Sequence, residues 1–164
     1  MTGSTDAPAI ADLSFSEQLT VWAMRCWLAG EQGDIDAARA AKWAFEKADV
    51  GDAARDLASF MTVLNSAAVK PVVFHQPGCP HASDDEFLLL AAVGAAQWRR
   101  ADQLHAALSW WLPPAAVRLA ELPLRRYAET LRGRKLVVRP RDGIGVEAAM
   151  TIAANAVPTS QTIH

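Results

Sequence analysis

The chain has 164 residues, 51% of them hydrophobic, and a net charge of −2, which suits one domain with its own core and requires no disulfide or metal to hold it together. Two cysteines exclude a secreted disulfide framework and point to a reducing, cytoplasmic compartment, and no apolar run is long enough to span a membrane. Charge is uneven, with residues 1–116 carrying 8 Lys+Arg against 14 Asp+Glu and residues 117–164 carrying 8 against 4, but a pI of about 6.1 argues against a nucleic-acid partner.

Residues 1–12 hold no Lys or Arg and no apolar stretch of signal-peptide length, and read as a disordered N-terminus. Ser14 and Glu17 then have capping-box spacing, so a helix starts near Phe15 and ends at Gly30. Leu19, Trp22, Ala23 and Cys26 share one face of it, and Val21, Met24, Trp27 and Leu28 make the others partly apolar. A second helix, from Ile35 to Ala48, carries Ala38, Ala41 and Phe45 as its stripe, with Trp43 off it. Gly51 and Asp52 separate it from a third, from Ala53 to Ala68. Pro71 opens a loop whose Val72, Val73 and Phe74 form an extended segment or a plug on the core.

Ser83 and Glu86 repeat the capping box, and Asp84, Asp85 and Glu86 place negative charge where the helix dipole favours it. The helix that follows, to about Trp98, is apolar nearly all round and is expected at the centre of a bundle, with Gly94 permitting a close neighbour. A further helix, from Asp102 to Leu112, stops at Pro113 and Pro114. The last, from Ala115 to Arg132, should kink or break at Pro123. Lys135 to Val138 has strand propensity, 140–145 is loop, and Val146 to Ala156 can form a weak helix. The expected fold is therefore all-α: a compact bundle of about six helices, domain boundaries 13–141, with a Pro-rich mid-chain loop and a flexible, weakly ordered tail over 142–164.

Chemistry concentrates in His75-Gln76-Pro77-Gly78-Cys79-Pro80-His81. Cys79 and His81, two apart, leave one side of an extended chain, and the Pro77-Gly78 turn can fold His75 back over them. Zinc or iron would find three donors here, with Asp84, Asp85, Glu86 or His105 as a fourth ligand or an open position for water. The competing readings are a polar loop whose histidines merely hydrogen-bond, a Cys79-Pro80 thiolate ligand to haem iron, and a reactive Cys79 thiol. Cys26, among Leu19 and Trp22, reads as a small buried hydrophobe.

Arg125, Arg126, Arg132, Arg134, Lys135, Arg139 and Arg141 form a basic stretch that reads as a solvated face or a dock for an acidic partner. Trp110 and Trp111 lie about 100° apart on a helix, so both cannot enter one seam, and the pair is the candidate interface. No phosphate loop, nucleophile elbow or HExxH helix is present, and no catalytic residues are assigned.

The stretch from His75 to Glu86, with its His-x-Pro-x-Cys-Pro loop running into a capped Leu-rich helix, together with Leu19-Thr20-Val21-Trp22-Ala23-Met24-Arg25, resembles small uncharacterised helical proteins of bacteria. The resemblance covers about half the chain and implies no activity. Position 81 is His where that pattern leads one to expect Cys. The expected role is a non-enzymatic regulatory or accessory protein acting through a protein partner or homo-oligomer, with a zinc or iron site at 75–81. A metal-free adaptor or oligomerising domain is the alternative, and a metal- or thiol-dependent enzyme the second.

Overall fold

A computed structural model describes residues 8–141. Among them the fold is all-α, with six helices and no strand: α1 (Phe15–Glu31), α2 (Ile35–Lys47), α3 (Gly51–Ala67), α4 (Asp84–Gln97), α5 (Ala101–Ser109) and α6 (Pro114–Gly133). Both capping boxes form, with Ser14 and Glu17 opening α1 and Ser83 and Glu86 opening α4. Asp34 opens α2 by accepting the Ala37 amide at 3.0 Å.

Helix α4 is the interior element: every residue from Leu88 to Gln97 is buried, and it packs on α1, α5 and α6. Its Leu89 and Leu90 are fully enclosed, and burial of each stabilises the fold by about 1.5–3 kcal/mol. Helices α3 and α6 close the other side, with Phe45, Phe60, Leu108, Trp111 and Tyr127 in the shared core. The Tyr127 hydroxyl stays satisfied there, 2.8 Å from Thr20 Oγ1, and its ring meets Phe45 edge-on at 6.1 Å.

Most helix ends fall within a residue or two of expectation, and three departures have a structural cause. Helix α3 begins at Gly51, not Ala53, because Val50 is buried in the core and its carbonyl accepts the Ala53 amide at 2.9 Å. Helix α5 ends at Ser109, since the chain turns to bury Trp111, whose Nε1 donates to Asp85 Oδ1 at 3.1 Å. Pro123 does not end α6. The carbonyl it deprives of a donor belongs to Leu119, a residue 67% exposed, so the lost bond falls on the solvent side where it is least costly.

Helices α2, α4 and α6 end alike, with Asp49, Arg99 and Lys135 at φ of 58°, 54° and 59°. The next amide bonds back five residues: Val50 to Phe45, Arg100 to Ala95 and Leu136 to Leu131. This closure normally takes glycine, and here it takes residues that strain to adopt it.

Residues 136–139 form no strand and instead cross α4 as an extended strap. The Gln97 side chain donates to Leu136 O at 2.9 Å and accepts from the Val138 amide at 2.8 Å. Gly94 lets the strap come close, because a Cβ there would sit 3.1 Å from Arg139 O. Val72 and Phe74 plug the core edge while Val73 is exposed. Residues 8–12, expected to be frayed, are tied down: Ala9 forms an antiparallel bridge with His81, and the Ile10 amide donates to Pro80 O at 2.8 Å. The expected tail 142–164 and its weak helix lie outside the described residues. No helix among the described residues is long and apolar enough to cross a membrane.

Candidate functional site

Arg25 lies on the buried side of α1, between Met24 and Cys26, with 3% of its surface exposed. A guanidinium has five N–H donors in a fixed fork, and each finds an acceptor. Nε reaches Glu86 Oε1 at 2.6 Å and Nη2 reaches Glu86 Oε2 at 2.8 Å. The other three go to backbone carbonyls of the mid-chain loop: His81 at 2.7 Å, Cys79 at 2.8 Å and Gln76 at 3.1 Å.

Glu86 is equally saturated. Besides the two bonds from Arg25 it accepts the Ser83 amide at 2.8 Å and the His75 amide at 3.1 Å. Burial pushes its carboxyl up, but hydrogen bonds from Arg25, Ser83 and His75 outweigh burial and hold the pKa below the ordinary carboxylate range. The helix-capping carboxylate and an arginine from a distant helix thus fix the loop's backbone.

Held this way, the loop brings together two of the three expected donors. Cys79 Sγ lies 3.6 Å from His75 Nδ1. That same Nδ1 is 2.8 Å from the His81 carbonyl, which can only accept, so Nδ1 carries the hydrogen and the free lone pair of the ring is on Nε2. His81 contributes its carbonyl to Arg25, and its residue is exposed.

The expected fourth ligands are engaged elsewhere or distant. Asp85 accepts from the Val73 amide at 2.7 Å and from Trp111, Glu86 belongs to Arg25, and Asp84 is exposed in the first turn of α4. His105 sits on α5, 3.4 Å from Glu121. Among the described residues no three His, Cys, Asp or Glu side chains converge closely enough to hold a metal ion.

The expected interface pair also divides. Trp111 is core, whereas Trp110 is half-buried under the Lys70 ammonium, 3.1 Å from the ring centroid. The basic stretch is largely engaged within the molecule. Arg139 and Arg141 reach Glu17 at 2.9 and 3.1 Å, Arg134 pairs with Asp49 at 2.7 Å, Arg125 with Glu121 at 3.7 Å, and Arg132 donates to Gln97 O at 2.7 Å.

The feature that sequence reasoning missed is a groove between α1 and α2, about 460 Å³ in volume, with the arginine-held loop as its rim. Phe15, Leu19 and Trp22 line it from α1, Trp43 and Lys47 from α2, and Cys79 from the loop. Phe15 is 65% exposed and Trp43 61%, although both are large and apolar. The available signal was Trp43 standing off the stripe of α2 and Phe15 standing at the first helical position. Arg25 adds no net charge to this groove, because the buried Glu86 carboxylate neutralises it.

The described residues thus make a small all-α bundle with a rigid-rimmed aromatic groove. Compared with protein-family models, curated proteins and solved structures, the chain matches none.

Proposed function

We propose that this chain is a non-enzymatic, metal-free interaction protein whose α1–α2 groove receives an apolar helical segment of a protein partner. The observation that carries the reading is the placement of Phe15 and Trp43, both mostly exposed, on a single apolar groove of about 460 Å³. Large aromatics left in water on a concave surface are the usual anchors of helix-in-groove recognition. The Arg25-held loop supports the same reading, because a fixed rim lowers the ordering cost of binding.

The test is proximity cross-linking in host cells with identification of the captured protein, followed by a binding titration with that protein purified. The paired Phe15→Ser and Trp43→Ser substitutions should weaken the purified complex at least tenfold, about 1.4 kcal/mol, while leaving the helical content unchanged. Equal affinity of wild type and double variant rules the groove out as the binding surface.

A further inference from the structure

We propose that the groove's resting occupant is the chain's own segment 146–157, which an external partner must displace. The inference rests on the reading of the α1–α2 groove as the binding surface, and adds how that surface is regulated.

The first observation is where the described chain ends. Arg139 and Arg141 are both bound to Glu17 in the first turn of α1, and Arg139 Nη2 also donates to Asp12 O at 3.1 Å. That same turn carries Phe15 and Gln18, which line the groove together with Ile10. The chain therefore passes Arg141 beside the mouth of the groove. Residues 142–145 can span about 13 Å, so 146 onward is within reach.

The second is the sequence that follows. Val146, Ala149, Met150, Ala153 and Val157 recur at i, i+3, i+4, i+7 and i+11, the spacing of one apolar helical stripe. Twelve residues in a helix measure about 18 Å, three turns, and Pro158 marks the stop.

The third is charge. Between Gly143 and Ile163 the only charged side chain is Glu147. Of the two cations lining the groove, Arg25 has no donor left, and Lys47 is the one available. Lys47 already leans over Trp43, 5.7 Å from the ring, at the groove's edge. One anion flanking an apolar stripe meets one cation flanking an apolar groove.

Cys79, on the rim, supplies the probe. In the full-length chain with Cys26→Ala, Met150→Cys should form an intramolecular disulfide with Cys79 under mild oxidation at low protein concentration, located by peptide mass mapping. Thr159→Cys, beyond Pro158 and off the stripe, should react on the order of tenfold more slowly, because only a docked segment holds its thiol at high effective concentration. Adding Glu147→Lys should slow the Met150→Cys reaction toward the Thr159→Cys rate. Equal rates for the two cysteines, or disulfides only between molecules, overturn the proposal. Its failure is separable from that of the partner reading: the disulfide needs no partner, and partner affinity is read in the wild-type chain. If both hold, Met150→Asp in the full chain tightens partner binding severalfold. Unchanged affinity there sinks the displacement step.

Discussion

Substituting Arg25 by Met removes five hydrogen bonds at once while keeping most of the side-chain volume. It leaves Glu86 buried without its counterion and the carbonyls of Gln76, Cys79 and His81 without their donor. Breaking one partner out of a buried ion pair costs about 3–5 kcal/mol, against a total stability of about 5–15 kcal/mol for a domain of this size. The loop carbonyls can recover part of their loss from water, so we expect about 3–5 kcal/mol in all. Urea unfolding followed by helical circular dichroism measures it, and the rate at which Cys79 reacts with a disulfide reagent reports whether the loop loosens with the fold intact. Arg25→Lys, with three donors on a point charge, should fall between wild type and Arg25→Met. Pairing Arg25→Met with Glu86→Leu should recover a part of the loss, since the stranded charge is gone. A cost below about 1 kcal/mol for Arg25→Met would refute the view that this residue holds the loop.

Four other expectations are sharper for being independent of that one. Burial pushes the Glu17 carboxyl up, but hydrogen bonds from Arg139 and Ser14 and the charge of Arg141 hold it at about 2 against an ordinary 4.5, and Glu86 is lowered likewise. Both folded pKa values lie below the unfolded ones, so each group's stabilisation is lost as pH falls, for Glu17 from full above about pH 4.5 to none near 2; Glu17→Gln should flatten that acid limb by about 1–3 kcal/mol, allowing for the exposure of Arg139. Lys135→Gly should stabilise by about 0.5–1 kcal/mol in thermal or urea unfolding, because glycine takes the left-handed turn without strain; a loss of stability would deny the strain. Native protein should present one reactive thiol, Cys79, with Cys26 silent until unfolding, since Cys26 is 2% exposed and burial and Asp34 push its pKa up to about 11. Elemental analysis of untagged protein purified without chelator should find no stoichiometric zinc or iron; near-stoichiometric metal that disappears in Cys79→Ser would overturn the metal-free reading.

Much of the fold is written locally. Ser14 with Glu17 and Ser83 with Glu86 mark two helix starts by chemistry that acts within one turn, and the apolar run after Glu86 marks the buried helix because no polar face is left to expose. What is not local is not legible in the same way. Arg25 stands out as an arginine in an apolar helix, but its partner is 61 positions away, and the partner of Glu17 is 122 away. The arginines of the basic stretch look like a surface patch until the fold delivers acids and carbonyls to them. The donor count of the 75–81 loop is incomplete for a related reason. It tallies side chains, whereas the loop is held by its backbone carbonyls, which every sequence has and none advertises.

The contact of Arg139 with Asp12 and Glu17 also has a mechanical meaning. A load pulling residues 8 and 141 apart falls on two small sets of contacts, the pairing of residues 8–10 with 80–82 and the hold of Arg139 and Arg141 on α1, and neither is a long ladder of bonds. Such contacts yield bond by bond, so the strap should peel from Glu17, Gln97 and Gly94 before the packed helices separate. A chain tethered at both ends would thus respond to tension in two stages, releasing its C-terminal strap at low force and its bundle only afterwards.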